Sequence, residues 1–491
     1  DFTVVVNAGT SLSDNSSDLL GYGGPIRDTG VPNVFNVFDL DNAKKRATQE
    51  GWEEMTQSIF ASAEIGWKSM LYLTLTGRND WASQLKGSNP TSFFYPSVGL
   101  SAVISEMVTL PKAIDYLKVR GSFSSVGTPY PRFLVQPTYS YDPTKQDWNA
   151  KTHYPIGKLK PERTDSWEIG VDGTFFKDFK VSGSFYYANT YNQTFDPKIT
   201  VSSGYSTLYV QTGYVRNLGV EGLLSYGHTW RDFGWNCNFT FSWNKNKIVE
   251  LVKDYVHPET GEIVNKDRLE LKGLGYTKFI LKEGGTLGDL YTNADFIRDD
   301  KGYIQIDKNG DVAKTDNLPD IKLGSVFPKA NLAWNNSFSY KGIYAGFQLS
   351  ARLGGIVYSA TQAALDQYGV SEASAAARDR GGVLVNGRSW VNAQQYYEIV
   401  ATSSGLPQYY TYSATNLRLQ EAHIGYTIPR KWLGNICDIN VSVVGRNLWM
   451  IYCKAPFDPE AIATTSNFYQ GIDYFMMPST RNFGFNVKIN F

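Results

Sequence analysis

Along much of the chain, apolar and polar residues alternate with a period of two. That is the pattern of β-strands whose two faces meet different solvents. Leu71, Leu73 and Leu75 alternate with Tyr72, Thr74 and Thr76. Leu117 and Val119 alternate with Lys118 and Arg120. Trp167, Ile169 and Val171 alternate with Ser166, Glu168 and Asp172 around Gly170. At the end, Phe483, Phe485, Val487, Ile489 and Phe491 alternate with Gly484, Asn486, Lys488 and Asn490. Many runs extend to about ten residues, whereas globular strands have about five or six. A tilted membrane strand needs roughly nine to eleven. Lys118, Arg120, Glu168 and Lys488 sit badly in a dry sandwich core and well against a water-filled lumen.

Between these runs, connection lengths alternate. Short links join Trp67 to Met70, Lys177 to Phe179, Arg231 to Gly234 and Lys341 to Gly342. Long ones cover Ser11 to Gly51, Gly127 to Arg163, Lys247 to Thr286 and Gly354 to Ala414. Short turns on one side and long loops on the other mark a transmembrane β-barrel. The pattern predicts about sixteen strands, the short stretch Gly302 to Asp307 among them. An even count suits a barrel whose first strand runs outward and whose last runs inward.

Composition sharpens this picture. No apolar run approaches the roughly 18 residues of a membrane helix, so a membrane role would rest on strands. Lys+Arg and Asp+Glu are both 47, which argues against a nucleic-acid partner. Aromatics make up 14%, with Tyr 32 ahead of Phe 27, which suits interface girdles and polar lumens. Cys237, Cys437 and Cys453 are too scattered for a disulfide framework, and the four histidines show no HExxH or HxxxH spacing. No GxGxxG, P-loop or hydrolase motif is present, so the sequence points away from an enzyme and from a bound cofactor. Asp307-Lys-Asn-Gly-Asp311 reads as an Asn-Gly turn or a loop Ca2+ site, but lacks EF-hand spacing. Gly445-Arg-Asn-Leu448 reads as a bulge with Asn447 bonded to backbone, and alternation breaks around Glu421 as at a β-bulge.

The longest loop carries the candidate binding residues. Asp379, Arg380, Trp390, Asn392 and Tyr368 combine aromatic faces with carboxylate, guanidinium and carboxamide groups. That mixture suits sugar stacking with hydroxyl bonding, docking of a lid protein, or simple packing of the loop. Asp366, Arg378, Arg388, Tyr396 and Tyr397 lie in the same loop, and Trp148, Tyr139 and Tyr141 mark another.

Several stretches then fall in one order. Gly77-Arg-Asn-Asp80 is followed by Phe94-Tyr-Pro-Ser97, Lys118-Val-Arg-Gly-Ser-Phe123, and Leu159-Lys-Pro-Glu162 with Ser166-Trp-Glu-Ile-Gly170. Asn217-Leu-Gly-Val-Glu-Gly222 and Asn244-Lys-Asn246 come next, then Leu417-Arg-Leu419, Ile424-Gly-Tyr-Thr-Ile-Pro429, Gly445-Arg-Asn-Leu448 and Asp458-Pro-Glu460. The chain closes on Pro478-Ser-Thr-Arg-Asn-Phe-Gly-Phe485 and a terminal Phe491. This succession resembles the SusC/RagA-type TonB-dependent outer-membrane transporters of Bacteroidota, over nearly the whole chain.

The resemblance implies an all-β transmembrane antiparallel barrel, of which residues 1–491 form the C-terminal part without a separate second domain. About sixteen of about twenty-two strands would be present. A signal peptide, a small β-domain, a TonB-contacting segment, the plug and the first strands would lie outside this sequence. It implies TonB-dependent import of an oligosaccharide, with energy from TonB and the proton gradient. The implied partners are a SusD-like surface lipoprotein, TonB, the oligosaccharide and outer-membrane lipid, in a dimer of SusCD-type heterodimers. Phe491 would be the barrel C-terminal signal. Three other readings stay open: a peptide importer of the same family, a passive porin or adhesin complete at sixteen strands, and a secreted carbohydrate-binding protein.

Overall fold

A computed structural model describes residues 1–28, 34, 36–87, 91–129, 132–134, 140–142, 147–149, 160–195, 210–256, 261, 263–275, 277–464 and 470–490. One 14-stranded sheet dominates, every strand antiparallel to its neighbours and in chain order. Its strands are β1 Phe2–Gly23, β2 Arg46–Trp67, β3 Leu71–Ala82, β4 Phe93–Val103, β5 Ile114–Thr128, β6 Glu162–Phe175 and β7 Phe179–Phe195. They continue as β8 Val210–Trp230, β9 Phe233–Glu250, β10 Ala330–Tyr340, β11 Ile343–Leu353, β12 Asn416–Ile428, β13 Asp438–Cys453 and β14 Asn482–Asn490. Among the described residues, β1 and β14 each have one neighbour, so the sheet is open at both edges.

The register puts alternate residues on one face with great consistency. Val443 faces Phe485 and Ile424, Phe239 faces Trp334 and Leu224, Ile169 faces Phe185, and Leu73 faces Leu100 and Ile65. These apolar residues cover the outer face and many stand bare, such as Ile169 at 61% and Phe485 at 82% exposure. So large an apolar sheet face calls for a lipid solvent. Along β9 the outward residues run Phe233, Trp235, Cys237, Phe239, Phe241 and Trp243. Ten steps of about 3.3 Å at a tilt of about 45° span roughly 23 Å, close to the ~25 Å apolar band of membrane barrels.

At the short-turn end the belt finishes in aromatics. Phe179 and Tyr226 lie 4.6 Å apart, Tyr226 and Trp235 5.1 Å, and His228 and Trp230 4.6 Å. The turns are tight because residues there accept positive φ: Lys68 and Ser69 at 51° and 58°, Lys341 and Gly342 at 46° and 90°. Both central residues with φ above zero give the hairpin turn that matches strand twist.

Two expectations need correction. Among the described residues the large sheet has 14 strands, against about sixteen expected. The region between β9 and β10 forms small separate sheets, and Gly302 to Asp307 makes only isolated bridges, Arg298 with Ile304 and Ile306 with Val312. The expected loop Ser11 to Gly51 is strand at both its ends, up to Gly23 and from Arg46, since β1 and β2 pair from Phe2 with Trp67 to Gly23 with Arg46. Backbone pairing continues there although neither face is continuously apolar, as suits a hairpin standing beyond the membrane in water.

The long connections at the other end fold onto one another. The described residues of 251–329, 354–415 and part of 454–481 build a lobe around Phe279, Leu290, Val326, Tyr358, Val400, Leu406, Tyr410 and Ile472, all nearly buried. Helices α1 Ala360–Gln367, α2 Glu372–Asp379 and α3 Ala393–Val400 lie in it. A second cluster, Val215, Ile248, Leu251, Leu269, Leu281 and Leu287, welds the lobe to the inward side of β8 and β9.

Candidate functional site: the lumen wall and the loop lobe

Below the lobe the inward face is mostly polar, with Leu223 and Val444 as exceptions, and its charge is not spread evenly. On β5 and β6, Arg120 bonds Glu168 at 3.1 Å and approaches Asp172 at 3.5 Å. It lies flat across Gly170, where a Cβ would meet its guanidinium carbon at 2.6 Å, so only glycine permits this path. At the far side Arg446 bonds Glu421 at 2.9 Å. Between these groups, from β7 to β11, the wall carries mainly hydroxyls and carboxamides, Ser182, Ser184, Thr240, Ser242, Asn331 and Asn335, with the carboxylate of Glu221 among them.

Two cavities follow this stretch. One of ≈ 480 Å³ lies against the wall over Arg120, Ser184, Glu221, Thr240, Ser242 and Asn331. Above it, one of ≈ 700 Å³ separates the wall from the lobe, bounded by Asn217, Asn244, Asn246, Asn331, Phe327 and Lys329 among others. Asn246 donates to Asn217 at 2.9 Å and accepts from the Leu287 backbone at 3.0 Å, so it ties the wall to the lobe. Carboxamides pair with hydroxyls and amides in either sense, donor or acceptor, without adding charge.

Within the lobe, side chains hold the helix ends and turns. Ser359 Oγ accepts from the Gln362 amide at 3.0 Å at the start of α1 and donates to Asp473 at 2.5 Å. Tyr410 donates to Asp366 at 2.8 Å, and Ser371 donates to the same carboxylate at 2.5 Å. Burial pushes the Tyr358 and Tyr396 hydroxyls up to about 12, and burial with the Asp366 carboxylate pushes Tyr410 far above its usual range. Hydrogen bonding from Arg268 holds Asp320 below the usual carboxylate range; the guanidinium grips it through two bonds of 2.9 and 3.0 Å.

The residues singled out in the longest loop occupy different places. Asn392 caps α3, accepting from the amides of Gln394 and Gln395 at 2.9 and 3.3 Å. Tyr368 and Arg380 follow the last residues of α1 and α2, and Asp379 ends α2. Trp390 lies in a small hairpin opposite Leu384. Tyr368 and Trp390 are 75% and 57% exposed on the lobe surface. None of the five lines either cavity described above. Tyr141 and Trp148 face each other at 5.3 Å in another small hairpin, while Tyr139 and Phe491 lie outside the described residues. Asp307 is the pivot of a turn: its carboxylate accepts from the Asn309 and Asp311 amides at 2.8 and 3.0 Å, and Gly310 has φ 86°.

Sequence reasoning missed the carboxamide wall as a site. Asn217, Asn244 and Asn246 stood in plain view as motif residues, but their convergence with Asn331 depends on strand register.

The same geometry recurs in known proteins. The family model described as TonB dependent receptor-like, beta-barrel, matches residues 2–448. The chain belongs to the TonB-dependent receptor-like β-barrel family. Among curated relatives of this family, TonB-dependent receptor P3 of Formosa agariphila is 24% identical over 463 residues, 88% of this chain and 45% of its own length. TonB-dependent receptor SusC of Bacteroides thetaiotaomicron is 24% identical over 246 residues, 45% of this chain and 24% of its own length. The chain thus spans less than half the length of these relatives. Among solved structures, that of the RagAB peptide transporter aligns with all of this chain at a TM-score of 0.74 and 16% identity, covering 53% of that chain. This likeness is one of fold.

Proposed function

We propose that this chain is the larger part of an outer-membrane barrel that imports a neutral oligosaccharide. The observation carrying this reading is the wall of hydroxyls and carboxamides along β7–β11 beneath the lobe, with charged pairs set to either side. Sugar hydroxyls both donate and accept, and such a wall meets them without the desolvation that fixed charges demand.

The two free sheet edges need partners, because unpaired backbone groups are not tolerated in a bilayer. Strands and a plug from the rest of the protein, which this chain's coverage of its relatives leaves room for, would close the barrel. TonB would move the plug with energy from the proton gradient, and solute would pass along the polar wall without covalent chemistry. A SusD-like lipoprotein would seat on the lobe, where Tyr368, Val370, Leu384 and Trp390 stand exposed.

A peptide substrate is the second reading, supported by the fold shared with the RagAB peptide transporter. Calorimetry on the complex purified from the outer membrane, titrated with neutral oligosaccharides and with peptides, separates them. Saccharide binding that weakens by about two- to tenfold in Asn244→Ala and Asn331→Ala supports the proposal. Binding of peptides alone would sink it.

A further inference from the structure

The outer face carries a feature that neither the lumen nor the lobe uses. At the long-loop edge of the apolar belt, the register builds a lattice across β6–β9. Its lower row is Trp167, Tyr187, Leu218 and Lys245. Its upper row is Asp165, Asn189, Arg216 and Lys247. Val215 and Ile248, the next residues along, are buried beneath the lobe on the inward side, so Arg216 and Lys247 point outward.

Free charge in this lattice is cationic, since Glu250, opposite Tyr214, pairs with Lys253 at 3.7 Å. Asp165 is taken by Arg163 through bonds of 2.8 and 2.9 Å. Among the described residues, Arg216, Lys245 and Lys247 have no ion pair, and both lysines are exposed. Arg216 is held in place from its sides. Its Nε bonds Asn189 at 3.3 Å, one terminal nitrogen bonds the Tyr214 hydroxyl at 2.6 Å, and Tyr187 and Tyr214 flank it at 5.1 and 5.5 Å. Tyr191 stacks on Tyr214 at 4.9 Å. A guanidinium fixed by tyrosines, beside two free ammonium groups and above a lipid belt, matches a phosphate carried at headgroup depth.

We infer that this patch binds the phosphorylated headgroup of an anionic glycolipid in the leaflet that faces the long loops. The inference rests on the outer-membrane reading above, which makes that leaflet the outer one. The acyl chains would lie along the apolar residues below Trp167 and Tyr187, while the phosphate would sit between Arg216, Lys245 and Lys247. Neutral lipids would gain nothing from the patch.

The test uses the membrane-purified protein and a triple variant, Arg216→Gln/Lys245→Gln/Lys247→Gln, with Lys245→Arg/Lys247→Arg as the charge-preserving control. Both are reconstituted in nanodiscs containing a minor fraction of phosphorylated or dephosphorylated lipid A, and retained lipid is measured by mass after extraction. Each surface charge is worth a factor of about five, so phosphate-dependent enrichment should fall about a hundredfold in the triple variant and persist in the control. Equal retention by wild type and triple variant, or equal retention of both lipids, overturns the inference. A lipid-soluble quencher read at position 169 keeps the two readings apart. Quenching without phosphate-dependent enrichment defeats only the headgroup site, whereas absence of quenching defeats the membrane reading itself.

Discussion

Arg418 offers a demanding perturbation, because its partners link the wall to the connection that precedes the last strand. Its side chain is 7% exposed and meets Asp458, 9% exposed, at 2.6 Å, with Glu460 at 3.6 Å and Asn447 at 3.5 Å. Arg418→Met leaves a buried carboxylate without its cation, which costs about 3–5 kcal/mol. Arg418 Nε is itself buried without a partner, so its removal offsets part of that cost and favours the lower end. With about 1.4 kcal/mol per tenfold, amide exchange in residues 454–464 should accelerate by roughly two to three decades. In Arg418→Met/Asp458→Leu no lone buried charge remains, since Glu460, the other carboxylate, is 43% exposed. Only minor bonds are lost, such as that from the Glu460 amide to Asp458 at 3.0 Å, and the cost should fall to roughly 1–2 kcal/mol. Hydrogen exchange by mass spectrometry of the detergent-solubilised protein reads Arg418→Met, Asp458→Leu and the double variant. A double variant as costly as the sum of its two singles would refute the coupling.

Three further outcomes follow from the lobe. Phe279 is fully buried at its centre, so Phe279→Ala should destabilise the lobe by about 3–5 kcal/mol, read as a lower denaturant midpoint for protease cleavage there. Tyr358 and Tyr396 have hydroxyls raised to about 12, so their contribution is complete below the ordinary tyrosine value of about 10 and vanishes as pH rises through about 12. Tyrosinate absorbance should therefore show a late-titrating class that coincides with opening of the lobe; a single titration near 10 would contradict the burial. Asp320 lies below its usual range, so the stability it adds is present at neutral pH and is lost as pH falls through that depressed value. Asp320→Asn should remove that acid dependence in a pH series of protease cleavage.

The wall was legible because the membrane imposes a strict period. On β3, β5, β6 and β14, each apolar residue noted in the described sequence lies outward and its neighbours inward. The bulge near Glu421 was legible too, as the register shifts between Leu419 and Glu421. Asn447, with φ 52° and a bond to the Thr480 carbonyl at 3.3 Å, behaves as its motif suggested. The β1–β2 hairpin beyond the belt was not legible, because no lipid enforces alternation there. Nor was the lobe: its core joins Phe279 to Tyr410 and Ile472 across long stretches of chain, and short strands such as Lys278–Lys282 carry no periodic signal. The lumen site failed for a related reason, since four scattered asparagines converge only once the register is known.

The central claim is that one sheet separates lipid from a polar lumen. It is tested most directly by placing single cysteines at positions 167 to 172 of β6, with Cys237, Cys437 and Cys453 replaced by serine. Each is labelled with an environment-sensitive fluorophore, and the protein is reconstituted in vesicles with lipid-soluble and aqueous quenchers. The account predicts lipid quenching at 167, 169 and 171 and aqueous quenching at 168, 170 and 172. Aqueous quenching at all six positions, or quenching without alternation, would contradict it.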